Sequence, residues 1–170
     1  MLDFFQTVRS RHSIRRYQPA RPVPREHLHA ILETASAAPS AGDRQLYRIA
    51  VAENGDTRAA LAAAAERQDF VRQAPVCLVF FADTAAGERE FGDRGQRFSL
   101  QDATIAASYA QLAAAATGLG STWVGRFEAA GVAAACRAPD SLEPVCLLSL
   151  GYPAEQPELT PRRPLPELLL

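Results

Sequence analysis

The chain has 170 residues, of which 48% are hydrophobic and 22% charged, so one globular domain with its own core is expected. Its 18 basic and 19 acidic residues nearly cancel, which argues against a nucleic-acid-binding protein and against a protein that docks on membranes through a polybasic patch. Every basic residue is arginine, so chemistry through a lysine Schiff base is excluded.

The cysteines and the N-terminus predict a cytoplasmic protein. Cys77, Cys136 and Cys146 are odd in number and form no Cys-x-x-Cys pair, which is typical of free thiols in a reducing compartment. The first residues do not show the basic region and apolar stretch of a secretory signal. No apolar run reaches the length of a membrane span, so no membrane association is expected.

The first third of the chain predicts two helices and a strand. Asp3 is a good N-cap for a helix in which apolar residues recur at helical spacing. Pro24 suits the first turn of a second helix, which has an apolar stripe over residues 28–35. Small and polar residues at 37–45 indicate a loop, and the alternation at 47–51 predicts a strand.

The middle of the chain predicts a helix, a buried strand and a connector. Residues 57–66 are rich in alanine and predict a helix. The continuous apolar run at 76–82 follows a proline and predicts a strand that is covered on both faces. Residues 86–98 carry three glycines among many charges, and we interpret them as a mobile connector or lid.

The last third predicts the longest helix and a final strand. Small side chains recur along residues 100–117, which we expect to form a helix that ends at Gly118 and that another helix can approach closely. Residues 145–150 predict a buried strand. Residues 152–170 contain five prolines and are expected to form an irregular tail.

Three polar clusters are candidates for a single binding site assembled by the fold. They lie at 11–16, which reads Arg-His-Ser-Ile-Arg-Arg, at 39–45, and at 162–163, which reads Arg-Arg. The arginine guanidinium presents a planar fork of donors that suits a phosphate or the electron-rich edge of a heterocycle. A solvated basic turn is an equally simple interpretation of the first cluster taken alone.

Other motifs argue against competing chemistries. The glycines at 118–120 follow a helix and precede a probable strand, whereas a dinucleotide fingerprint follows a strand, so a turn is predicted. The three histidines lack metal-ligand spacing with carboxylates, and no metal site is expected. Ser13 and Ser40 lack a nucleophile elbow, so a hydrolase is not favoured.

The order of the motifs carries a family resemblance over nearly the whole chain. The matching segments are 11–17, 23–26 with the helix after it, 38–45, 118–125, 150–153 and the arginines at 162–163. With these segments the chain resembles the nitroreductase family of flavin enzymes. The alternation of helices and strands alone would suggest an α/β Rossmann-like domain. The resemblance implies instead a single α+β domain over 1–170.

The resemblance implies a mixed, mostly antiparallel sheet flanked by helices. It also implies a homodimer whose chains interlock through a long central helix, with two FMN molecules at the interface. The implied activity is an FMN-dependent oxidoreductase that takes hydride from NADH or NADPH. Flavin N5 would pass this hydride to a nitroaromatic, a quinone or an activated alkene by a ping-pong mechanism. No catalytic side chain is expected, because the flavin carries the chemistry.

The resemblance assigns the first cluster and the tail to the flavin. Arg11, with Arg162 or Arg163, would hold the phosphate of FMN. Ser13 and the backbone of His12 would bond phosphate or ribityl oxygens.

Arg15 would place a cation beside the flavin pyrimidine, where negative charge develops on reduction.

The resemblance also assigns residues from the middle of the chain. The loop that contains Pro39, Ser40 and Ala41, with Asp43 and Gln45 in the same cofactor-binding segment, would reach the flavin of the other subunit.

Backbone amides near Gly125 and Arg126 would approach N5, and Gly125 permits that approach because it lacks a Cβ. Gln68 is a candidate partner of the pyrimidine edge, although an exposed glutamine at a helix end is an equally good interpretation.

Some positions depart from the family pattern and leave the substrate class open. Asp43 stands where the family often has asparagine, and Leu46-Tyr47 replaces the usual Pro-Trp. Arg126 stands where a small residue is common, so it either recognises an anionic substrate or points into solvent. Alternative functions are a specialised enzyme of the same fold, of the flavin destructase or reductive dehalogenase type, and a flavin-binding protein without turnover.

Overall fold

A four-stranded antiparallel sheet forms the centre of the protein in the computed structural model, which describes residues 3–158 and 160–170. Its strands are β1 (Tyr47–Ala52), β2 (Val76–Asp83), β3 (Gly120–Val124) and β4 (Leu142–Gly151), in the spatial order β1-β2-β4-β3. Each neighbouring pair is antiparallel. The strands predicted at 47–51, 76–82 and 145–150 are thus confirmed, and the α+β class is confirmed over the α/β alternative.

Seven α-helices flank this sheet in the described part of the chain. They are α1 (Phe4–Ser10), α2 (Arg25–Ser36), α3 (Gly55–Ala64), α4 (Asp69–Gln73), α5 (Thr84–Phe91), α6 (Gly95–Ala116) and α7 (Ala129–Cys136). Short 3-10 turns lie at Ala41–Asp43, Gly92–Arg94 and Leu165–Glu167. Asp3 caps α1 with a capping box that involves Gln6, as its position before the helix predicted.

Three helices, α4, α5 and α7, were not predicted from the sequence. The five residues of α4 are too few to establish a helical period. The alanines of α7 give no apolar stripe, and its start is marked by Glu128, whose carboxylate accepts from the backbone N–H groups of Ala130 and Gly131.

The core lies on both faces of the sheet because β2 is buried along its whole length. Successive side chains of a strand point to opposite faces. Leu78 and Phe80 therefore join a cluster that contains the alanines of α6 and the apolar stripe of α2. Val79 and Phe81 join a second cluster with residues of α3 and α7.

The segment 86–98, interpreted from the sequence as a mobile connector or lid, is instead helical and packed. It contains most of α5, a 3-10 turn and the first residues of α6, which begins five residues earlier than predicted. Gly87 and Gly95 lie back to back, and a Cβ on either would come within 2.4 Å of the other's backbone. The glycines therefore serve close packing of two helices rather than flexibility.

The tail is mostly irregular, as its prolines predicted. Residues 152–158 and 160–164 form no helix, and one 3-10 turn follows at Leu165–Glu167. An antiparallel bridge between Tyr17 and Pro153 fixes the start of the tail against the N-terminal part of the chain. Among the described residues, no helix combines the length and apolarity needed to cross a membrane.

Candidate functional site

Residues 11–17 form an extended strap that lies beside the start of β3. The backbone N–H of Ile14 donates to the carbonyl of Ser121 at 3.0 Å, and Ser13 forms a parallel bridge with Ser121. A Cβ on Gly120 would lie 2.7 Å from Cγ1 of Ile14, so glycine is required for this close approach. The strap therefore has a fixed position along the strand.

A network of buried polar side chains holds the strap against the sheet. The hydroxyl of Tyr17 donates to the carbonyl of Ile14 at 2.6 Å and lies 2.7 Å from Oγ of Ser149. Thr122 also donates to the Ile14 carbonyl through its hydroxyl. Burial raises the pKa of Tyr17 to about 12, so the phenol is a neutral donor at ordinary pH.

Glu155 holds the strap from the side of the tail. Its carboxylate accepts from the backbone N–H of Arg15 at 2.6 Å and from that of Arg16 at 3.0 Å. The sequence analysis did not identify this residue, since about 140 positions separate it from its partners. Its position directly after the 150–153 motif is the one feature of the sequence that could have suggested it.

The strap leads into a cavity of about 790 Å³ at the start of β3. Arg11 and His12 line it, together with the turn at 118–121 and the tail residues 155–158. Burial and, to a smaller extent, the positive charge of Arg162 lower the pKa of Arg11. In the described chain, no carboxylate forms an ion pair with Arg11 or Arg162. Arg11 therefore lines the cavity without an ion-pair partner and with a second cation nearby, and the carboxylates of Glu155 and Glu158 line the same cavity.

The two tail arginines differ in their surroundings. Arg162 is close enough to Arg11 to affect its pKa, whereas Arg163 forms an exposed ion pair with Glu167 at 3.3 Å. Of the two candidates from the sequence, the structure therefore brings Arg162 to the first cluster.

A second, smaller cavity of about 360 Å³ lies at the other end of β3. Gln68, Trp123, Gly125 and Arg126 line it with Glu66. Gln68 is half-buried at the start of α4, and its side-chain amide donates to the carbonyl of Arg126 at 3.4 Å. It therefore lies in a cavity rather than free in solvent.

The side chain of Arg15 extends from the strap to α4, whose N-cap residue Gln68 lines the second cavity. Its guanidinium carbon lies 5.9 Å from the centroid of the Phe70 ring, and Phe70 is two residues beyond Gln68 in α4. A cation over an aromatic face is attracted by the ring quadrupole. Among the described residues, the side chain of Arg15 forms no ion pair, so it stays available to a ligand.

The loop at 39–45 lies away from both cavities within one chain. Pro39, Ser40 and Ala41 line a third cavity of about 780 Å³ with residues 98–105 of α6. The first cavity touches the opposite end of this helix, at Ala115. At about 1.5 Å per residue, the two cavities are roughly 20 Å apart along the helix. A single chain therefore does not bring all the predicted site residues together.

A buried carboxylate fixes this loop. Asp102 is 2% exposed and accepts from the backbone N–H of Ala41 at 2.9 Å and of Leu46 at 3.1 Å. The sequence analysis did not identify Asp102, because nothing distinguishes it from a solvated helix residue in the sequence.

The loop also has a strained backbone. Gly42, Asp43 and Gln45 have φ angles of 54°, 55° and 46°, and the N–H of Gln45 donates to the hydroxyl of Ser40 at 3.1 Å. Left-handed conformations at residues other than glycine cluster at functional sites. Asp43 and Gln45 themselves are exposed.

Within the described ranges, no group of three or more histidine, cysteine, aspartate or glutamate side chains is placed to hold a metal ion. The donors of the three cavities are guanidinium, amide, hydroxyl and backbone N–H groups. Such a donor set binds anions and heterocycle edges.

Comparison with protein families gives one match, which covers most of the chain. The model of the nitroreductase family matches residues 8–67 and 62–152. A relative from Thermus thermophilus, named NADH dehydrogenase, is 33% identical in an alignment that covers 100% of this chain and 96% of that protein.

Solved structures of similar proteins superpose on nearly the whole of this chain. NfrA2 from B. megaterium superposes with a TM-score of 0.91 at 27% identity, over 100% of this chain and 74% of its own. The NADPH:FMN oxidoreductase from Vibrio harveyi, solved in complex with NAD+, superposes with a TM-score of 0.90 at 27% identity. This second match covers 99% of this chain and 76% of that one.

Proposed function

The chain belongs to the nitroreductase family, and from this premise we propose that it is an FMN-dependent oxidoreductase that passes hydride from NADH or NADPH to a small acceptor. The observation that carries the proposal is the pair of cavities joined by β3. One cavity is lined by Arg11, which forms no ion pair within the described residues, and the other presents hydrogen-bond donors around a residue without a Cβ.

The first cavity fits a phosphate monoester. Arg11 and Arg162 repel one another, and an anion between them would remove that cost. Their guanidinium groups offer several N–H donors in fork geometry, which matches the oxygens of a phosphate. Ser13 and the backbone at His12 would supply further donors along the strap, which would place the ribityl chain beside β3.

The second cavity fits the ring system of a flavin. The five residues of β3 separate the two cavities by about 13 Å, given the rise of a strand. Gln68 would bond the pyrimidine edge, and the backbone amides of Gly125 and Arg126 would face N5. FMN, when bound, supplies the two-electron chemistry of hydride acceptance and donation.

The protein's own contribution to that chemistry is electrostatic. The guanidinium of Arg15 would stand beside the pyrimidine ring and stabilise the negative charge that develops there on reduction. The hydrogen bonds of Tyr17 and Glu155 fix the backbone of the strap that carries Arg15. The backbone from which the cation extends is therefore held in place before the flavin binds. Gly125 leaves room for a nicotinamide or an acceptor to approach the flavin.

The active protein is proposed to be a homodimer. Pro39, Ser40, Ala41, Asp43 and Gln45 would then complete the flavin site of the partner, since the loop lines neither the first nor the second cavity of its own chain. Large apolar side chains on α1 and α6 are exposed in the single chain: Phe4 by 66%, Phe5 by 68%, Leu100 by 48% and Tyr109 by 38%. Exposed apolar patches of this kind mark interaction surfaces.

Steady-state kinetics test this proposal against the alternatives. We expect the purified protein to contain FMN and to oxidise NADH or NADPH with a nitroaromatic, a quinone or an activated alkene. Parallel double-reciprocal plots are expected, because donor and acceptor would use one site in turn. Bound FMN without nicotinamide oxidation would favour a flavin destructase, a reductive dehalogenase or a flavin-binding protein, and failure to bind FMN would contradict the proposal.

A further inference from the structure

The side chain of Arg126 stands at the mouth of the second cavity. Its Nε donates to the carboxylate of Glu66 at 2.7 Å. The side chain is 83% exposed and that of Glu66 is 51% exposed. An ion pair this exposed contributes little to stability. The pair is therefore better explained as orienting the guanidinium than as holding the fold.

The orientation leaves donors free. Within the described residues, the two terminal nitrogens of Arg126 form no hydrogen bond, since only Nε is used. Free terminal nitrogens present the end of the guanidinium fork, which binds a carboxylate or a phosphate through two parallel hydrogen bonds.

The neighbouring groups are donors as well. Trp123 lines the same cavity, and its indole nitrogen would lie 3.4 Å from a Cβ on Gly125, so it borders the space that glycine leaves open. In the described part of the chain, this indole N–H has no hydrogen-bond acceptor. Gln68 adds an amide. Glu66 is the one carboxylate among the lining residues, and it is engaged by Nε of Arg126.

The backbone that presents Glu66 is strained. Glu66 and Arg67 both have left-handed φ angles, of 54° and 60°. Such conformations at residues other than glycine persist where the surrounding structure requires them, and they cluster at ligand sites.

We infer that the guanidinium of Arg126 recognises an anionic group, a carboxylate or a phosphate, on a molecule that occupies the cavity beside Gly125. This inference rests on the proposed function, because that molecule is taken to be the electron acceptor or the nicotinamide donor. Glu66 orients the guanidinium through Nε and repels the incoming anion weakly.

Calorimetric titration of the purified protein with benzoate and with benzamide, which differ in charge and little in shape, tests the inference without turnover. Wild type should bind benzoate more tightly than benzamide, and Arg126→Gln should reduce that preference roughly tenfold, as loss of a charge-assisted contact implies. Arg126→Lys should retain part of it. Glu66→Gln should raise it roughly two- to fivefold by removing the repulsion.

Arg67→Gln is the matched control, because it makes the same change of net charge at a residue that does not line the cavity. A second comparison measures the preference for NADPH over NADH in binding. If Arg126→Gln abolishes that preference instead of the preference for benzoate, the recognised anion is the 2′-phosphate of the donor, which also supports the inference.

The inference is overturned if Arg126→Gln changes neither preference, or if Arg67→Gln changes them equally. Failure of the proposed function would show instead as a lack of FMN and of nicotinamide oxidation, which the benzoate titration does not measure.

Discussion

The hydroxyl of Tyr17 donates a hydrogen bond of 2.6 Å to the carbonyl of Ile14, three residues earlier in the strap. Because Tyr17 has a single hydroxyl proton, the contact with Ser149 at 2.7 Å is best satisfied when Ser149 donates to the phenol oxygen. The strap is therefore tied to β4 through a chain of hydrogen bonds that requires the neutral phenol.

Alkaline pH should reduce the stability that this connection gives to the folded protein. Burial raises the pKa of Tyr17 to about 12, from 10.0 in the unfolded chain, so the folded state retains its proton where the unfolded state loses it. The contribution of this pKa difference to the free energy of unfolding is complete below about pH 10 and is lost as the pH rises toward 12. At about 1.4 kcal/mol per unit of pKa difference, the loss amounts to about 2–3 kcal/mol.

Urea unfolding of wild type and Tyr17→Phe between pH 8 and about pH 12 measures this loss. The raised pKa values of the buried thiols of Cys77 and Cys146 act in the same direction in both proteins, so the difference between the two curves isolates Tyr17. Parallel curves above pH 10 would contradict the assignment.

Removal of the Asp102 carboxylate should destabilise the fold and loosen the loop at 39–45. Asp102→Ala leaves the N–H groups of Ala41 and Leu46 without their acceptor, at a cost of about 1–3 kcal/mol for each group. Asp102→Asn should cost less, because one oxygen remains. Asp93→Asn, at an exposed position before α6, is the control and should lie within about 0.5 kcal/mol of wild type in urea unfolding.

The protein should be an obligate homodimer. Sedimentation at low micromolar concentration should give twice the chain mass of 18.4 kDa. Phe5→Glu, which places a charge on the exposed apolar face of α1, should shift the population toward monomer and weaken FMN binding. A flavin-loaded monomer of wild type would rule out the shared site.

Arg11→Ala should weaken FMN binding. The loss of a charge-assisted phosphate contact of about 1.5–3 kcal/mol corresponds to roughly ten- to a hundredfold in the dissociation constant. Titration of apo-protein with FMN measures it. Arg9→Ala, on the exposed side of α1, removes the same charge outside the first cavity and should leave the affinity unchanged. If the two variants bind FMN equally tightly, Arg11 is a solvated surface residue and not a phosphate ligand.

Arg15→Leu should lower the midpoint potential of bound FMN. Withdrawal of a partly shielded cation removes on the order of 1–3 kcal/mol from the reduced form, and about 30 mV corresponds to roughly 1.4 kcal/mol for a two-electron couple. Spectroelectrochemistry should therefore show a drop of tens of millivolts. Arg16→Leu is the control, because Arg16 is the next residue and is also exposed, and it should leave the potential unchanged. If both variants have the same potential, Arg15 does not stabilise the reduced flavin.

Local patterns were sufficient to predict most of the helices and strands, whereas the α+β class rested on the family resemblance. The buried run that became β2 and the apolar stripe of α2 are periodic signals that follow from side-chain direction alone. The error at 86–98 arose because glycine in a charged segment also suits a flexible connector. Only the three-dimensional contact between Gly87 and Gly95 reveals that these glycines serve packing.

The candidate site residues found from the sequence belong to local motifs, whereas residues that act through distant partners were missed. Of the candidates identified from the sequence, Arg11 and His12 line the first cavity, and Gln68 and Gly125 line the second. Glu155 and Asp102 were missed because each binds backbone N–H groups far away in sequence, and such bonds leave no local pattern.

Anaerobic titration of the purified protein with NADH and with NADPH tests the central claim most directly. The proposed function predicts one bound FMN per chain and bleaching of the yellow flavin absorbance by one equivalent of at least one donor. Return of the colour on addition of a nitroaromatic, a quinone or an activated alkene would complete the cycle. A protein that takes up FMN but is not bleached by either donor, or one that takes up no FMN, would contradict the account.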